Sequence, residues 1–284
     1  MPTYLAPGRF TFDYVRLIGS GGLGRVDEIV VRKSTCDEVP GTHLGLKRLN
    51  PKWQAHQETC VRFEREIEAV KALSHPAIVP YRGENVTEGS ERFYCMPLYP
   101  KNLRRLMYER GSQIPVREVA GFGAGIADAL AYAHSQDFIH RDLKPENILL
   151  KRGGGLLRPT YTPVIADWGL GRFVHKHSVV LQHLTRGGMG TERYCSYEQW
   201  NNGECDGRGD VYSLGVTLAE MVLGRQPNMR FPGDGVSITF PSGAAPGQAA
   251  FSDLIRRMTA VSPDGRPDYM VDVAEELRQV ASMR

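Results

Sequence analysis

The chain has 284 residues and a mass of 31.6 kDa, enough for one large domain or two smaller ones. Its apolar fraction of 41% and charged fraction of 24% are those of a globular protein, and a formal net charge of +3 gives no indication of a nucleic-acid partner or an acidic membrane partner. The five scattered cysteines, never spaced C-x-x-C, predict reduced thiols and argue against a disulfide framework or a zinc site.

The sequence contains no stretch of about eighteen apolar residues, and no basic N-terminal stretch leads into an apolar one. We therefore expect a cytoplasmic chain without a membrane segment. The cytoplasmic part of a larger, membrane-anchored protein would have the same composition, so both placements stay open.

The first predicted element is a pair of strands between Phe10 and Val31, interrupted by the glycine-rich stretch Gly19-Ser20-Gly21-Gly22-Leu23-Gly24. Glycines permit tight turns and let backbone amides approach phosphate oxygens. A dinucleotide-binding fold would start a helix at the third glycine, whereas an apolar strand follows it here, and this favours a hairpin flap over nucleotide phosphates. A purely structural glycine turn is the alternative.

A strand and a helix come next. The strand His43–Leu49 has Lys47 in its middle, and taken alone this lysine reads as a solvated side chain. Between residues 59 and 74, Phe63, Ile67 and neighbouring apolar residues recur at helical spacing. The resulting amphipathic helix has Glu66 at the edge of its apolar stripe, where a carboxylate can reach inward.

Helical patterns dominate after Asn102. We predict one helix over Val116 to Ser135, in which the glycines at 121, 123 and 125 would allow a close approach of a neighbouring helix. Helices are also predicted over Phe251 to Thr259 and Val271 to Val280. The stretch 151–163 is expected to contain an exposed loop, and 224–247, rich in proline and glycine, to be irregular.

The segment with the most chemistry is His140-Arg141-Asp142-Leu143-Lys144-Pro145-Glu146-Asn147. Its proline prevents a regular helix, so the polar groups lie on a loop. Asp142 can orient a hydroxyl and take its proton, Lys144 can meet a transferred phosphate, and Asn147 can hold a metal ion through its amide oxygen. A polar turn that merely starts the next strand is the alternative.

This loop resembles the catalytic loop of the eukaryotic-type, or Hanks-type, serine/threonine protein kinases, H-R-D-L followed by three residues and Asn. The resemblance covers nearly the whole chain in seven ordered elements, from the glycine-rich flap to Arg266. It implies an α+β bilobal fold with a small antiparallel-sheet N-lobe carrying one main helix over residues 1–96. A hinge at 97–101 and a larger, mainly helical C-lobe over 102–284 would complete it.

The resemblance implies an ATP site. Its residues would be Ile18, Gly19, Ser20, Gly21, Gly22, Leu23, Gly24, Val26, Lys47, Met96, Pro97 and Tyr99. Lys47 would contact the α and β phosphates and be held by Glu66. Met96 would border the adenine, although ordinary core packing explains a methionine equally well. The Pro97 carbonyl and the Tyr99 amide would hydrogen-bond the base.

Asp167-Trp168-Gly169 stands where the family has D-F-G. The resemblance implies that Asp167 and Asn147 hold Mg²⁺, with Mn²⁺ as a substitute, although an aspartate here could also be a plain turn former. The larger ring of Trp168 would pack under the helix that carries Glu66 and alter its switching without loss of metal. Two further departures are Gly45, which removes a methyl from the adenine wall, and Ser196-Tyr197-Glu198 in place of A-P-E.

Three more expectations concern the later part of the chain. Glu198 should pair with Arg266, and Asp210 should cap a helix and tie down the catalytic loop. Residues 171–193 read as a mobile activation segment, with Ser178 and Thr185 as candidate phosphate acceptors and Thr191 supporting the catalytic loop. The histidines at 175, 177 and 183 read as solvated loop residues and not as a metal cluster.

The sequence thus predicts transfer of the γ-phosphoryl group of MgATP to serine or threonine hydroxyls of proteins, including the chain's own activation segment. Lys144 gives the loop its serine/threonine form. A transient dimer would allow such autophosphorylation. One alternative is a nucleotide-binding pseudokinase acting as a scaffold or allosteric partner, which Gly45, Trp168 and Ser196-Tyr197 support. A small-molecule phosphotransferase is a weaker one.

Overall fold

The structure is a computed structural model, and it describes residues 3–6, 10–21, 24–35, 38–86, 92–111, 113–154, 159–168, 191–202, 205–229, 235–240 and 246–283. It divides into two compact units. One comprises Met1–Ser74 and Val79–Leu98, and the other comprises His75–Ile78 and Tyr99–Arg284.

The first unit is built on a six-stranded antiparallel sheet with the order β1-β2-β3-β4-β6-β5. The strands are β1 Thr3–Ala6, β2 Phe10–Ser20, β3 Gly24–Ser34, β4 His43–Leu49, β5 Gly83–Val86 and β6 Arg92–Pro97. Strands β2 and β3 are the two arms of the predicted hairpin, and β4 has the predicted bounds. The pattern analysis did not predict β1, which is only four residues long.

One face of this sheet carries an aromatic and aliphatic core. Its buried members are Phe10, Phe12, Ile29, Val31, Leu44, Leu46, Phe93 and Cys95. The rings of Phe12 and Phe93 meet edge to face, with centroids 5.8 Å apart, which is a favourable aromatic geometry. Alternation along each strand places these residues on one side of the sheet, while Lys47, Tyr94 and Met96 lie on the other side.

Helix α1, Gln57–Ala72, completes the first unit. It starts two residues before the predicted position. Phe63, Ile67 and Val70 are buried, as the helical spacing predicted, and Glu66 is buried beside them. The helix ends where Leu73 turns to an extended conformation ahead of the His75-Pro76 pair, since a residue before proline is disfavoured in a helix.

The second unit is mainly helical. Its helices are α2 Leu103–Arg110, α3 Val116–Ser135, α4 Tyr197–Asn202, α5 Gly207–Leu223, α6 Pro246–Met258 and α7 Met270–Ser282. Helix α3 has the predicted bounds, and every residue of α5 from Gly209 to Val222 is buried. No helix in the described ranges is long and apolar enough to cross a membrane.

The glycines of α3 do not share one explanation. A Cβ at Gly123 would lie 2.8 Å from one Leu218 methyl, so α5 does approach this helix closely, as predicted. A Cβ at Gly121 would meet no described atom within 4 Å. The prediction of a close helix contact was therefore right for Gly123 and wrong for Gly121, which lies on the exposed side.

A small sheet with the order β7-β8-β9 belongs to the second unit. Its strands are β7 Lys101–Asn102, β8 Ile148–Gly154 and β9 Pro159–Ile165. Strand pairing continues from Ile148↔Ile165 out to Gly154↔Pro159, so both ends of the stretch 151–163 are strand. The predicted exposed loop in the middle of this stretch falls on residues 155–158, which lie outside the described ranges. Prolines 159 and 163 are tolerated because β9 is an edge strand.

Two further boundaries differ from those predicted. Helix α6 begins at residue 246, five residues before the predicted start, and α5 begins at Gly207 with Asp206 as its cap. Asp210 therefore lies in the first turn of α5 and is not its cap. The described residues between these helices, 224–229 and 235–240, form neither helix nor strand, as expected.

Candidate active site

The glycine-rich stretch forms the turn of a β-hairpin in the first unit. Gly19 pairs with Val26 across the hairpin, and the Gly21 amide donates to the Gly24 carbonyl at 2.8 Å. Asn50 holds this turn from the end of β4: it accepts from Ser20 Oγ at 3.0 Å and donates to the Gly21 carbonyl at 2.7 Å. The predicted positions Gly22 and Leu23 lie outside the described residues.

Lys47 and Glu66 form an ion pair. Lys47 lies on β4 opposite Val26 of β3, and its Nζ donates to Glu66 Oε1 at 2.5 Å. Both side chains are largely buried, with 11% and 5% of their surfaces exposed. Glu66 was expected at the edge of the helix's apolar stripe, and from there its carboxylate reaches Lys47 on β4.

The two residues expected to border the adenine, Gly45 and Met96, lie near Lys47 on the same sheet. Gly45 is opposite Met96, and a Cβ at Gly45 would be 3.4 Å from Val26 Cγ1 and 3.5 Å from Met96 Cε. These are ordinary van der Waals distances, so the missing methyl leaves room for about one carbon atom. Met96 is buried and Ile18 is 46% exposed. Pro97 ends β6, whereas Tyr99 belongs to the second unit.

In the second unit, Asp210 holds the start of the predicted catalytic loop. Its carboxylate accepts from the His140 and Arg141 amides, each at 2.8 Å, and lies 2.8 Å from His134 Nε2. Burial alone would raise the pKa of Asp210, but these contacts outweigh it and lower the pKa. The ionised carboxylate stabilises Arg141 in a left-handed conformation with φ 64°, which is unfavourable for a non-glycine residue.

Two side chains of this loop, Lys144 and Asn147, both contact Asp142. Lys144 Nζ donates to both carboxylate oxygens of Asp142 at 2.9 Å, and Asn147 Nδ2 donates to Asp142 Oδ2 at 3.0 Å. Asn147 also donates to the Asp142 carbonyl at 2.8 Å, within a 3₁₀ turn that begins at Pro145. Burial would lower the pKa of Lys144, but the Asp142 carboxylate outweighs it and raises the pKa, so the ammonium stays charged.

Asn147 and Asp167 come together through backbone pairing. Strands β8 and β9 place Ile148 opposite Ile165, and the Ala166 amide donates to the Asn147 carbonyl at 2.9 Å. Asp167 follows directly, with φ 67°, a second strained non-glycine residue at this site. One amide and one carboxylate oxygen fit a hard divalent cation that keeps its remaining ligands from water or phosphate. Among the described residues, no group of three His, Cys, Asp or Glu side chains forms an alternative metal site.

Trp168 is only 1% exposed and packs edge-on against His140, with ring centroids 4.8 Å apart. His140 Nε2 lies 3.0 Å from the Ala166 carbonyl, so the imidazole has a packing and hydrogen-bonding role, as expected. The Trp168 Nε1 atom is buried and has no hydrogen-bond partner among the residues that the structure describes. A phenylalanine at this position has no N–H group, so it would bury no such donor.

Sequence reasoning missed a polar cluster next to the loop. Arg104 of α2 donates to Glu146 at 2.7 Å and to Glu220 of α5 at 2.5 Å, and Tyr194 Oη contacts the same Glu220. Glu220 is 2% exposed. The one available signal was a glutamate within an otherwise apolar stretch of α5, because buried carboxylates are rare unless paired.

The chain matches the protein kinase domain over residues 12–271. It belongs to the protein kinase family. A probable serine/threonine-protein kinase, pknA2 of Bifidobacterium longum, is 31% identical over 99% of this chain and 36% of its own length. PknL of Mycobacterium tuberculosis, also named a serine/threonine-protein kinase, is 31% identical over 84% of this chain and 59% of its own. The chain thus spans well under two thirds of these curated relatives.

Solved kinase domains share this fold. The crystal structure of the M. tuberculosis PknI kinase domain superposes with a TM-score of 0.70 at 24% identity, covering 100% of both chains. The predicted fold class is therefore confirmed: the chain has the bilobal kinase fold, with an antiparallel-sheet N-lobe and a helical C-lobe. The domain boundaries expected at 96 and 101 stay predictions, as do the roles of the individual site residues.

Several predicted elements of the kinase domain fall outside the described residues. These are the histidines 175, 177 and 183, the candidate acceptors Ser178 and Thr185, and Gly169. Thr191 begins a 3₁₀ turn that ends at Tyr194, although its side chain is outside the described set. The expected Glu198–Arg266 pair is present, with N–O distances of 2.7 and 3.0 Å. The four cysteines in the described ranges are free.

Proposed function

We propose that this kinase domain transfers the γ-phosphoryl group of ATP to serine or threonine hydroxyls of proteins. The observation that carries the proposal is the loop in which Asp142 is contacted by both Lys144 and Asn147, while Asn147 is tied to the residue before Asp167. Phosphoryl transfer requires this set: a proton acceptor, a cation beside it, and oxygen ligands for a metal ion.

In the proposed reaction, the substrate hydroxyl oxygen forms a bond to the γ-phosphorus as the bond to the β–γ bridging oxygen breaks. Asp142 accepts the hydroxyl proton, and ADP leaves. Lys144, whose raised pKa keeps it protonated, offsets negative charge on the moving phosphoryl group. Asn147 and Asp167 would hold a divalent cation, which we propose to be Mg²⁺ with Mn²⁺ as a substitute, and which neutralises phosphate charge when bound.

The first unit supplies the nucleotide side of the proposal. The hairpin turn around Gly21 would cover the phosphates, and Lys47, positioned by Glu66, would contact the α and β phosphates. Val26, Gly45 and Met96 would lie against the adenine, with Ile18 and Pro97 of the same unit beside it. Support comes from the ion pair at 2.5 Å and from the van der Waals spacing at Gly45.

The proposed acceptors are proteins, and they include the chain's own segment 171–193 through a transient dimer. The relatives named as serine/threonine-protein kinases support this acceptor type. Because the activity requires ATP and the described thiols are free, we place the domain in the cytoplasm, alone or as part of a longer protein.

The test compares Asp142→Asn with Asp137→Asn. Loss of a positioned proton acceptor should lower kcat about 10²- to 10⁴-fold while ADP affinity stays within about threefold. Asp137 is exposed and has φ 61°, a conformation that asparagine also adopts, so its variant should keep full activity. Transfer of labelled phosphate to a generic basic protein and to the chain itself is the readout.

Three outcomes would count against the proposal. Undiminished transfer by Asp142→Asn would show that the Asp142 carboxylate is not the proton acceptor. ADP binding without transfer by the unchanged chain would favour the pseudokinase. Faster phosphorylation of aminoglycosides or choline than of peptides would favour a small-molecule phosphotransferase.

A further inference from the structure

Tyr94 lies on β6 directly opposite Lys47 of β4. Opposed residues of antiparallel strands project from the same face, so both side chains leave the sheet on the side of Val26 and Met96. Tyr94 is 1% exposed, although a tyrosine at such a buried position must place its hydroxyl against a partner. Neither the motif pattern nor the resemblance drew attention to this residue.

That partner is the glutamate of α1. Tyr94 Oη donates to Glu66 Oε1 at 2.7 Å, and Lys47 Nζ donates to the same oxygen at 2.5 Å. The Tyr94 ring also packs on Phe63, one turn earlier in α1, with centroids 5.9 Å apart. One side chain therefore contacts α1 at two points, through its ring and through its hydroxyl.

The two donors to Glu66 differ in what else they must do. Lys47 is a long, flexible chain whose ammonium would also bind phosphate oxygens in the proposed function, so it would divide its hydrogen bonds between Glu66 and the nucleotide. The Tyr94 hydroxyl stands on a rigid ring that packs on Phe63, and in the proposed function it does not bind phosphate. Hydrogen bonds to a charged acceptor are the stronger ones, and Glu66 is only 4% exposed.

We propose that Tyr94 is a positioning residue for phosphoryl transfer: its hydroxyl keeps the Glu66 carboxylate where Lys47 can bind it, with or without nucleotide. This inference rests on the proposed function, because it assigns Lys47 to the phosphates. It predicts that the Tyr94 hydroxyl strengthens binding of the nucleotide's phosphates and has no effect on binding of its base.

The experiment uses Tyr94→Phe, which removes one oxygen atom and keeps the ring. Loss of one hydrogen bond to a charged group should weaken ADP binding about tenfold and lower kcat/KM for ATP by about the same factor. Adenosine, which has no phosphate, should bind within about twofold of the unchanged chain. Tyr108→Phe is the matched control, because Tyr108 is 86% exposed and should alter neither affinity.

A double-mutant cycle separates positioning from packing. In a Lys47→Met background there is no ammonium for Glu66 to position. Adding Tyr94→Phe to that variant should therefore change ADP affinity less than about twofold. Equal weakening of ADP and adenosine, an equal ADP loss in both backgrounds, or no loss at all would each overturn the proposal. A Tyr94→Phe variant too unstable to assay would overturn it as well, because the hydroxyl would then be needed for folding.

The binding measurements require no turnover. If the unchanged chain binds ADP but transfers no phosphate, the proposed function fails, whereas the comparison of ADP with adenosine still decides the role of Tyr94.

Discussion

The Glu198–Arg266 pair should be the contact in the C-lobe whose loss is most damaging. The Arg266 side chain is 0% exposed and Glu198 is 16% exposed. Arg266 also donates to the carbonyls of Ala260 at 2.7 Å and Val261 at 2.9 Å, and its guanidinium lies 5.0 Å from the centroid of the Tyr212 ring. A third carbonyl, that of Arg208, accepts from Arg266 Nη1 at 3.1 Å. Arg266→Met would leave the carboxylate and all three carbonyls without this donor.

The expected loss in the free energy of unfolding follows from the groups that lose their partner. Removing one member of a buried ion pair costs about 3–5 kcal/mol, since the survivor keeps its desolvation penalty. For a unit of this size each kcal/mol moves the melting temperature by about 2–4 °C, so the expected fall is between about 6 and 20 °C. Glu198→Gln keeps one acceptor oxygen and should cost less, about 1–3 kcal/mol.

The assay is thermal unfolding of Arg266→Met against Arg256→Met. Arg256 lies on α6 with its side chain 64% exposed, and its contact with Asp253 should contribute under about 1 kcal/mol. If the two variants melt within about 2 °C of each other, the Arg266 pair contributes no more than a surface pair and the reasoning fails.

The pH dependence gives an independent check. Burial alone would raise the pKa of Glu198, but hydrogen bonds from Arg266 outweigh it and hold the pKa below its ordinary value of 4.5. The pair's contribution is therefore complete above pH 4.5 and is lost as pH falls through the lowered pKa. Below pH 4.5 the unchanged chain should lose melting temperature more steeply than Arg266→Met.

Two further predictions concern helix α3 and the glycine-rich turn. Gly121→Ala should stabilise the protein by about 1 kcal/mol, since the site is open, whereas Gly123→Ala should destabilise it by about 1–3 kcal/mol because its Cβ would lie 2.8 and 2.9 Å from Leu218 methyls. Denaturant unfolding of both variants checks this, and shifts of the same sign would contradict it. Asn50→Ala removes the contacts to Ser20 and Gly21 and should raise the KM for ATP about three- to tenfold. An unchanged KM, with adenosine affinity also unchanged, would show that the turn holds its shape without Asn50.

Short-range patterns predicted those parts of the structure whose causes are local. The residue pattern predicted strand β4, and helical spacing predicted α3 with its observed bounds. The loop around Asp142 was predicted from its residue types. The hairpin of β8 and β9 was missed because Gly153, Gly154 and the prolines read as a loop by composition. Pairing between the two strands overrode that composition, and a pattern along one strand carries no information about its partner.

Cross-strand register explains why Tyr94 could not be predicted either. In the sequence it is one of several aromatic residues in an apolar run, 47 positions away from Lys47. Only the pairing of β4 with β6 places the two opposite each other, and only the docking of α1 brings Glu66 to both. Motif reasoning found the lysine and the glutamate because both lie at positions that the family pattern marks.

Helix α5 shows why the site depends on residues that do no chemistry. The helix is buried along its length, so a polar side chain within it is unfavourable unless paired. Asp210, Ser213 and Glu220 recur at spacings of three and seven residues along one face. Their partners are the amides of the catalytic loop, the Tyr194 carbonyl, and Arg104 with the Tyr194 hydroxyl.

If the α5 residue that contacts one of these partners were apolar, the partner would be a buried polar group without a hydrogen bond. The free-energy cost of leaving such a group unsatisfied keeps the partner segments on the helix. The apolar residues Leu214, Leu218 and Met221 explain why α5 is buried but not why the loop around Asp142 has a defined position. Asp210 stabilises the left-handed conformation of Arg141 by holding the amides of His140 and Arg141 together. The geometry of the proton acceptor is therefore set by a carboxylate 68 residues further along the chain, on a helix that never contacts the phosphate in the proposed reaction.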